Sequence, residues 1–291
     1  MKTILLTGAT GFLGSHLLKR LLEENYNIIV LKRSFSNTYR IANYLTHIKT
    51  YNIDIVNLEE VFKENKIDTV IHCATNYGRN NESPLNILQS NLILPLTILQ
   101  FSIKYNIETF INTDTIIDKN INNYSLSKKQ FLEWFKKSSN SIQTINISLE
   151  HFYGANDNKT KFTTFIIGSM IKKIHSIDLT LGEQKRYFIY IDDVVNAFIT
   201  ILTNKESLGH NFINYEVATD KSISIKDFVL MVKKITKNTT TLINFGKIPY
   251  RKNELMDCKI DITKLKNIGW NQQFSLEEGL EETINAERNN L

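Results

Sequence analysis

Tyr124 and Lys128 stand four apart in the run YSLSK (124–128), a spacing that puts both on one face of a helix, one turn from each other. A tyrosine beside an ammonium can move a proton. A free tyrosine has a pKa of about 10, too high for easy exchange near neutrality. A neighbouring cation stabilises the phenolate and lowers that value. Such a pair could protonate the alkoxide formed when a ketone accepts hydride. In a chain rich in tyrosine and lysine, about one Tyr-x-x-x-Lys is expected by chance, so the spacing alone does not decide. Upstream, NTDT (112–115) offers two hydroxyls for a substrate oxygen, Thr113 and Thr115. In a strand both project to the same side, so periodicity does not choose between them.

Proton transfer to an alkoxide needs a hydride donor, and the start of the chain offers a place for one. TGATGFLGSHL (7–17) follows an apolar run and opens a helical pattern, with Gly8, Gly11 and Gly14 spaced Gly-x-x-Gly-x-x-Gly. Glycines permit a tight turn and close approach of a pyrophosphate, which the helix N-terminus holds through free N–H groups. At the end of the second apolar run stands VLKRS (30–34). An NAD site usually carries an acid here for the ribose 2′-hydroxyl. Lys32, Arg33 and Ser34 instead suit a 2′-phosphate, which a guanidinium can bind bidentately. NADPH is the expected cofactor.

These residues need a frame. Apolar, β-branched runs at 3–7, 28–32, 67–72, 107–112 and 142–148 alternate with helical patterns at 16–24, 57–64 and 85–105. That alternation predicts an α/β fold, a Rossmann-type doubly wound parallel sheet covered on both faces. Pro95 is expected to kink or break the long helix. After residue 150 the regularity loosens. A helix near 160–174, a short pair of strands around 178–190, helices at 192–203, 225–236 and 275–287, and a strand at 211–214 are expected. The domain reading is a dinucleotide-binding domain at 1–150, completed by about 188–215. A smaller discontinuous lobe for substrate would comprise 151–187 and 216–291.

Composition narrows the function. A hydrophobic fraction of 42% supports a full core, and no stretch reads as apolar for the length of a membrane helix. The N-terminal run, interrupted by TGATG, reads as a strand rather than a signal peptide. Two distant cysteines, Cys73 and Cys258, fit a reducing cytoplasm and no metal site. The net charge of +5 comes without a basic run interleaved with aromatics, which argues against nucleic acid.

The glycine spacing, with YSLSK in its proper place, resembles the extended short-chain dehydrogenase/reductase (NAD-dependent epimerase/dehydratase) family. The resemblance makes Tyr124 and Lys128 catalytic, with Lys128 also holding the nicotinamide ribose, and its strand length favours Thr115 over Thr113. It adds Phe12 and Leu13 in the loop, Asp54 and Ile55 near the adenine, and Ala74 and Thr75 of HCAT beside the cofactor. Sugar-nucleotide dehydratases of this family carry Thr-Asp-Glu. Thr113-Asp114-Thr115 lacks the glutamate, so dehydration is not expected. The interval from Thr115 to Tyr124 lacks the usual Val-Tyr-Gly.

In SLEHFYGANDNKTKFT (148–163), His151 replaces the family's asparagine and is either a substrate contact or a packing residue; Lys161 joins the expected substrate residues. In GEQKRYFIYIDDVVNAF (182–198), Tyr187 replaces an aspartate, while Arg186 matches the arginine of the nucleotide pyrophosphate and Arg251 a second one. CATNYGRNNES, SNLILP and RKNELMDCKIDITKLKNIGWNQQFSL together look like CDP-abequose and CDP-paratose synthases. This implies NADPH-dependent reduction of a 4-keto group on a CDP-linked 3,6-dideoxy sugar, hexose or heptose, with Asn76, Tyr77 and Arg79 facing the sugar. A homodimer through helices 85–105 and 124–138 follows by the same analogy. The rivals are a nucleotide-sugar epimerase with tightly bound NAD and a catalytically idle NADP-sensing protein.

Overall fold

The structure is a computed structural model that describes residues 2–79, 81–209, 211–252 and 254–289. Its sheet is built from β1 (Thr3–Thr7), β2 (Asn27–Lys32), β3 (Lys49–Asn52), β4 (Thr69–His72), β5 (Thr109–Thr115) and β6 (Gln143–Leu149). The strand Ile213–Val217 joins β6, giving the order Ile213–Val217, β6, β5, β4, β1, β2, β3. The pairings among β1 to β6 are parallel, with Leu5 opposite Ile29 on one side and Val70 on the other. Parallel strands are covered on both faces, which is why their residues read as continuous apolar runs. Ile4, Leu5, Leu6, Val70, Ile71, Phe110 and Ile111 are wholly buried.

From β1 the chain winds outward through β2 and β3, then returns to β4 and winds the other way. The crevice beyond the ends of β1 and β4 is therefore the switch point of a doubly wound sheet. Three helices matter to it: α1 (Phe12–Glu23) after β1, the helical run of α3 (Pro84–Leu88) and α4 (Leu94–Lys104) after β4, and α5 (Asn123–Lys137) after β5; α2 (Leu58–Glu64) packs farther away. Between α3 and α4 lies a π-helical turn, Gln89–Ile93, so Pro95 enters α4 in its first turn. Proline has no N–H for a carbonyl four residues back, and the wider turn before it accommodates that loss.

This helical run corrects one expectation. Pro84–Lys104, 21 residues, is long and apolar enough to cross a membrane by length and composition. Ile98 and Leu99 pack into the core with Phe62, Phe110 and Phe131, while Leu85 and Ile93 are exposed.

The chain divides into two compact units, Met1–Leu149 with Ala197–Glu216, and Glu150–Asn196 with Val217–Leu291. The return to the first unit begins at Ala197 rather than near 188, because the strand Phe188–Tyr190 pairs with His151–Tyr153 inside the second unit. The expected pair of strands around 178–190 is replaced by three short strands with separate partners. Ser176–Asp178 runs beside Leu242–Asn244, Lys185–Arg186 beside Ile223–Ser224, and Phe188–Tyr190 as stated. The second unit has its own core, in which Tyr153, Ile166, Phe188, Phe228, Leu280 and Ile284 are buried.

Candidate active site

The glycine loop is closed by contacts that only glycine allows. Gly8 has φ +73°, and a Cβ there would lie 2.6 Å from the Ala74 nitrogen. A Cβ on Gly14 would lie 2.1 Å from the Gly8 carbonyl oxygen. Thr7 ties this turn to the end of β4, its Oγ1 accepting from the N–H groups of Cys73 (3.2 Å) and Ala74 (3.1 Å). No side chain caps α1 at Gly11. Helix geometry leaves the amides of Leu13 and Gly14 without intrahelical partners, while the side chains of Phe12 and Leu13 are buried. The cradle fits a pyrophosphate and has no room for side chains that would displace one.

At the end of β2, Lys32 Nζ donates to Asn52 Oδ1 at 2.6 Å. Ser34 is held by Asp54, which accepts from its N–H at 2.7 Å and from its hydroxyl at 2.5 Å. Those bonds lower the Asp54 pKa below the usual carboxylate value. Both Asp54 oxygens thus serve the turn. Ile55, next to it, is exposed. Arg33 is exposed, with its guanidinium 4.7 Å from the Phe35 ring centroid.

Helix α5 begins with a capping box: Asn122 Oδ1 accepts from Ser125 N–H, and Ser125 Oγ bonds back to Asn122. Tyr124 therefore sits in the first turn and Lys128 one turn on, buried to 1% exposure. The Thr115 hydroxyl acts on the Tyr124 phenol as a polar neighbour that favours its ionisation. Thr113, by contrast, donates to the His72 carbonyl at 2.7 Å. The geometry therefore separates two threonines that strand periodicity leaves equivalent. Ile117 N–H donates to Thr115 Oγ1 at 3.2 Å, so the Thr115 hydroxyl keeps its own proton to donate.

The Nζ of Lys128 is buried and makes no hydrogen bond among the described residues. Burial lowers its pKa to about 8, against the pull of Asp114 and Cys73 toward the charged form. Burial pushes the Tyr124 phenol well above 10, with Tyr77 and Asp114 adding to the rise and Thr115 and Arg79 opposing it. The Tyr77 ring lies 4.9 Å from that of Tyr124, and the Arg79 guanidinium 4.6 Å over Tyr77.

Asn91, wholly buried in the π-helical turn, fixes the segment after β4. Its Oδ1 accepts from Asn76 N–H (2.7 Å) and from the Thr75 hydroxyl (3.3 Å). Its Nδ2 donates to the Asn76 carbonyl (2.8 Å) and to Ser127 Oγ on α5 (3.0 Å). The Asn76 side chain is occupied too, accepting from Gly78 N–H at 2.9 Å.

In the second unit the expected substrate residues lie in separate pairings. Arg186, 8% exposed, forms an ion pair with Glu254 at 2.9 Å. Arg251 is exposed and its carbonyl accepts from Glu254 N–H. Lys161 pairs with Asp157 at 2.8 Å and stacks over Phe152. The His151 ring edge packs on Phe188, the packing alternative, and its Nδ1 lies 2.9 Å from the buried Glu150 carboxylate. Burial would raise the Glu150 carboxyl, but His151 and Arg186 together bring it below its ordinary value.

The sequence pattern of the "NAD dependent epimerase/dehydratase family" matches residues 4–218, which includes the glycine loop, β5 and YSLSK. The chain belongs to the NAD-dependent epimerase/dehydratase family. Among its curated members it is similar to the CDP-abequose synthase of Salmonella typhimurium, 33% identical with 97% of each chain covered. The CDP-abequose synthase of Salmonella muenchen is 35% identical over the same shares. Among solved structures, UDP-glucose 4-epimerase from Thermotoga maritima with UDP-glucose superposes with a TM-score of 0.85 at 23% identity, covering 99% of each chain. That likeness is one of fold.

Within this family member, several residues at the site carried no local signal. Asn91 lies inside SNLILP (90–95), where the order of residues marks it only as one helix position among others. Thr7, Ser127 and Glu150 act through partners 66, 36 and 37 residues away. Lys129 follows Lys128 directly, and nothing in the order of residues shows that it reaches Asp114. Among the described residues no cluster of three or more His, Cys, Asp or Glu is placed to hold a metal ion.

Proposed function

We propose that the protein is an NADPH-dependent C4 ketoreductase of a nucleotide-linked, CDP-type 4-keto-3,6-dideoxy sugar, hexose or heptose, serving surface-polysaccharide synthesis. The observation that carries the reaction type is Lys128, whose buried Nζ makes no hydrogen bond among the described residues, one helical turn from a Tyr124 phenol on which the Thr115 hydroxyl acts. The name shared by the two Salmonella relatives supports the sugar class.

The cradle at Gly8 and Gly14, the start of α1 without a side-chain cap and the unpartnered Lys128 Nζ suit a dinucleotide, with Lys128 at the nicotinamide ribose. When bound, the reduced nicotinamide supplies hydride to the ketone carbon. Thr115 and Tyr124 hold the ketone oxygen through their hydroxyls. As that oxygen gains negative charge, Tyr124 Oη gives up its proton to it. Lys128, kept charged near neutrality, stabilises the phenolate left behind. Asp114 is tied to Lys129, so it does not serve as an acid for loss of water.

Arg33 carries the preference for NADPH. Lys32 and Ser34 are engaged with Asn52 and Asp54, while the Arg33 guanidinium is exposed and braced on Phe35. Arg186 and Arg251 offer positive charge for a diphosphate. Leu126 and Trp134 on α5 and Ile93 in the neighbouring helical run are exposed apolar side chains, which supports a homodimer through these helices. Free Cys73 and Cys258 are in keeping with a cytoplasmic enzyme.

The stoichiometry of the reaction tests this reading. One NADPH should be consumed for each 4-keto sugar converted. Conversion between two sugars with no net consumption would move the reading to an epimerase with tightly bound NAD. Binding of NADPH with no turnover would move it to an NADP-sensing protein.

A further inference from the structure

An ion pair lies directly against the proton-transfer group and has no part in the chemistry above. Asp114, with no exposed side-chain surface, pairs with Lys129 of α5 at 2.8 Å. Asp114 Oδ1 accepts from the Thr115 N–H at 2.7 Å, and Lys129 Nζ donates to the Thr115 carbonyl at 2.5 Å. Both polar groups of the Thr115 main chain are therefore gripped, one by its own strand and one by the helix that carries Tyr124 and Lys128. Asn146 Nδ2 braces Asp114 at 3.3 Å and is itself bonded to Asn214 at 2.7 Å.

A buried ion pair is a weak device for stability, since desolvation offsets most of the attraction. Its geometry is better suited to fixing position. We propose that Asp114 and Lys129 form a positioning pair that ties Thr115 to α5 and holds its hydroxyl against Tyr124. This rests on the reading of Thr115, Tyr124 and Lys128 as a ketoreductase centre.

The pair also acts through charge, with opposite signs. The groups acting on Lys128 are Asp114 from β5, Cys73 after β4 and Lys129 beside it; Asp114 favours its charged form and Lys129 opposes it. Buried His72, from β4, is kept neutral by burial and by Lys128. Tyr124 meets Tyr77, Asp114, Thr115 and Arg79, and Asp114 opposes its ionisation. Removing Asp114 should thus let both Tyr124 and Lys128 lose protons at lower pH. Removing Lys129 should let Lys128 keep its proton to higher pH.

The test is a pH–rate profile of Asp114→Asn, Lys129→Met and Lys129→Arg with NADPH and a CDP-4-keto-3,6-dideoxyhexose, paired with an NMR titration of the Lys128 ε-carbon. Asp114→Asn should move the alkaline limb and the lysine titration down by about half a unit or more, and Lys129→Met should move them up. Both should lower kcat at least about tenfold with little change in KM, as loss of positioning does. Lys129→Arg should keep the parent limb. Equal loss of rate in Asp114→Asn and Lys129→Met with unmoved limbs and titrations would overturn the proposal. If Asp114→Asn does not fold, the two Lys129 variants decide. A wild-type enzyme without turnover would sink the ketoreductase reading, and the lysine titration would still judge the pair.

Discussion

Thr115 and Thr113 lie on the same side of β5, yet the Thr115 hydroxyl acts on the phenol of Tyr124 while Thr113 gives its hydroxyl to the His72 carbonyl at 2.7 Å. Thr115→Val should lower kcat by roughly 10²-fold, the usual loss when one donor to a developing oxyanion is removed. Thr113→Val should leave kcat within a few-fold and cost about 1 kcal/mol of stability, the ordinary net value of a hydrogen bond. Steady-state kinetics and denaturant melts on the two variants separate these effects. A rate collapse in Thr113→Val with normal Thr115→Val would reverse the assignment.

Lys128 ties stability to pH in an unusual direction. Its folded pKa is about 8 against an ordinary 10.5, so between these values the unfolded chain binds more protons than the folded one. Stability therefore rises with pH across that window, and the full penalty is present below it. Lys128→Met removes the penalty, about 3 kcal/mol by the size of the shift. The variant should be the more stable near pH 7, and its advantage should shrink as pH rises from about 8 to 10.5. Melts across this range measure the difference; an advantage that does not depend on pH would contradict it.

Arg33 is expected to discriminate between the two nicotinamide cofactors. Arg33→Ala should raise KM for NADPH by roughly 10- to 100-fold, the value of losing a charge-assisted pair, with little change for NADH. Parallel titrations with both cofactors decide, and equal effects on the two would remove Arg33 from the 2′-phosphate.

Asn91 holds both polar groups of the Asn76 peptide. Asn91→Ala leaves buried main-chain groups without partners and should cost about 3 kcal/mol. It should also loosen the segment that carries Tyr77 beside Tyr124 and so lower activity. A variant with unchanged melting would show that other groups take up these bonds.

The exposed Leu126 and Trp134 mark α5 as the proposed dimer face. Leu126→Glu with Trp134→Lys should convert a sedimenting dimer to monomer. A wild type that sediments as a concentration-independent monomer would remove the dimer.

What was legible in the sequence was what neighbours along the chain decide. The glycine loop is a local turn, β1, β2, β4, β5 and β6 contain the apolar runs, while the polar edge strand β3 (KTYN) carries no such signal, and Tyr124 and Lys128 share a helix face through their spacing alone. What was hidden depends on distant partners. Thr113 and Thr115 are separated by a carbonyl on β4, and Asn91 gains its meaning from Asn76 and Ser127. The second unit's short strands were misjudged because each pairs with a strand far away in the chain. Spacing gives Tyr124 and Lys128 a shared face but says nothing of their burial, and burial dominates the phenol.

The most direct measurement is the initial rate of NADPH oxidation by purified protein with a CDP-4-keto-3,6-dideoxyhexose, beside NADH and beside Tyr124→Phe. The expected result is rapid oxidation that prefers NADPH and falls by roughly 10²- to 10⁴-fold in the variant, as loss of a general acid would cause. Oxidation that survives intact in Tyr124→Phe, or none despite bound NADPH, would contradict the assignment of this site as a ketoreductase centre.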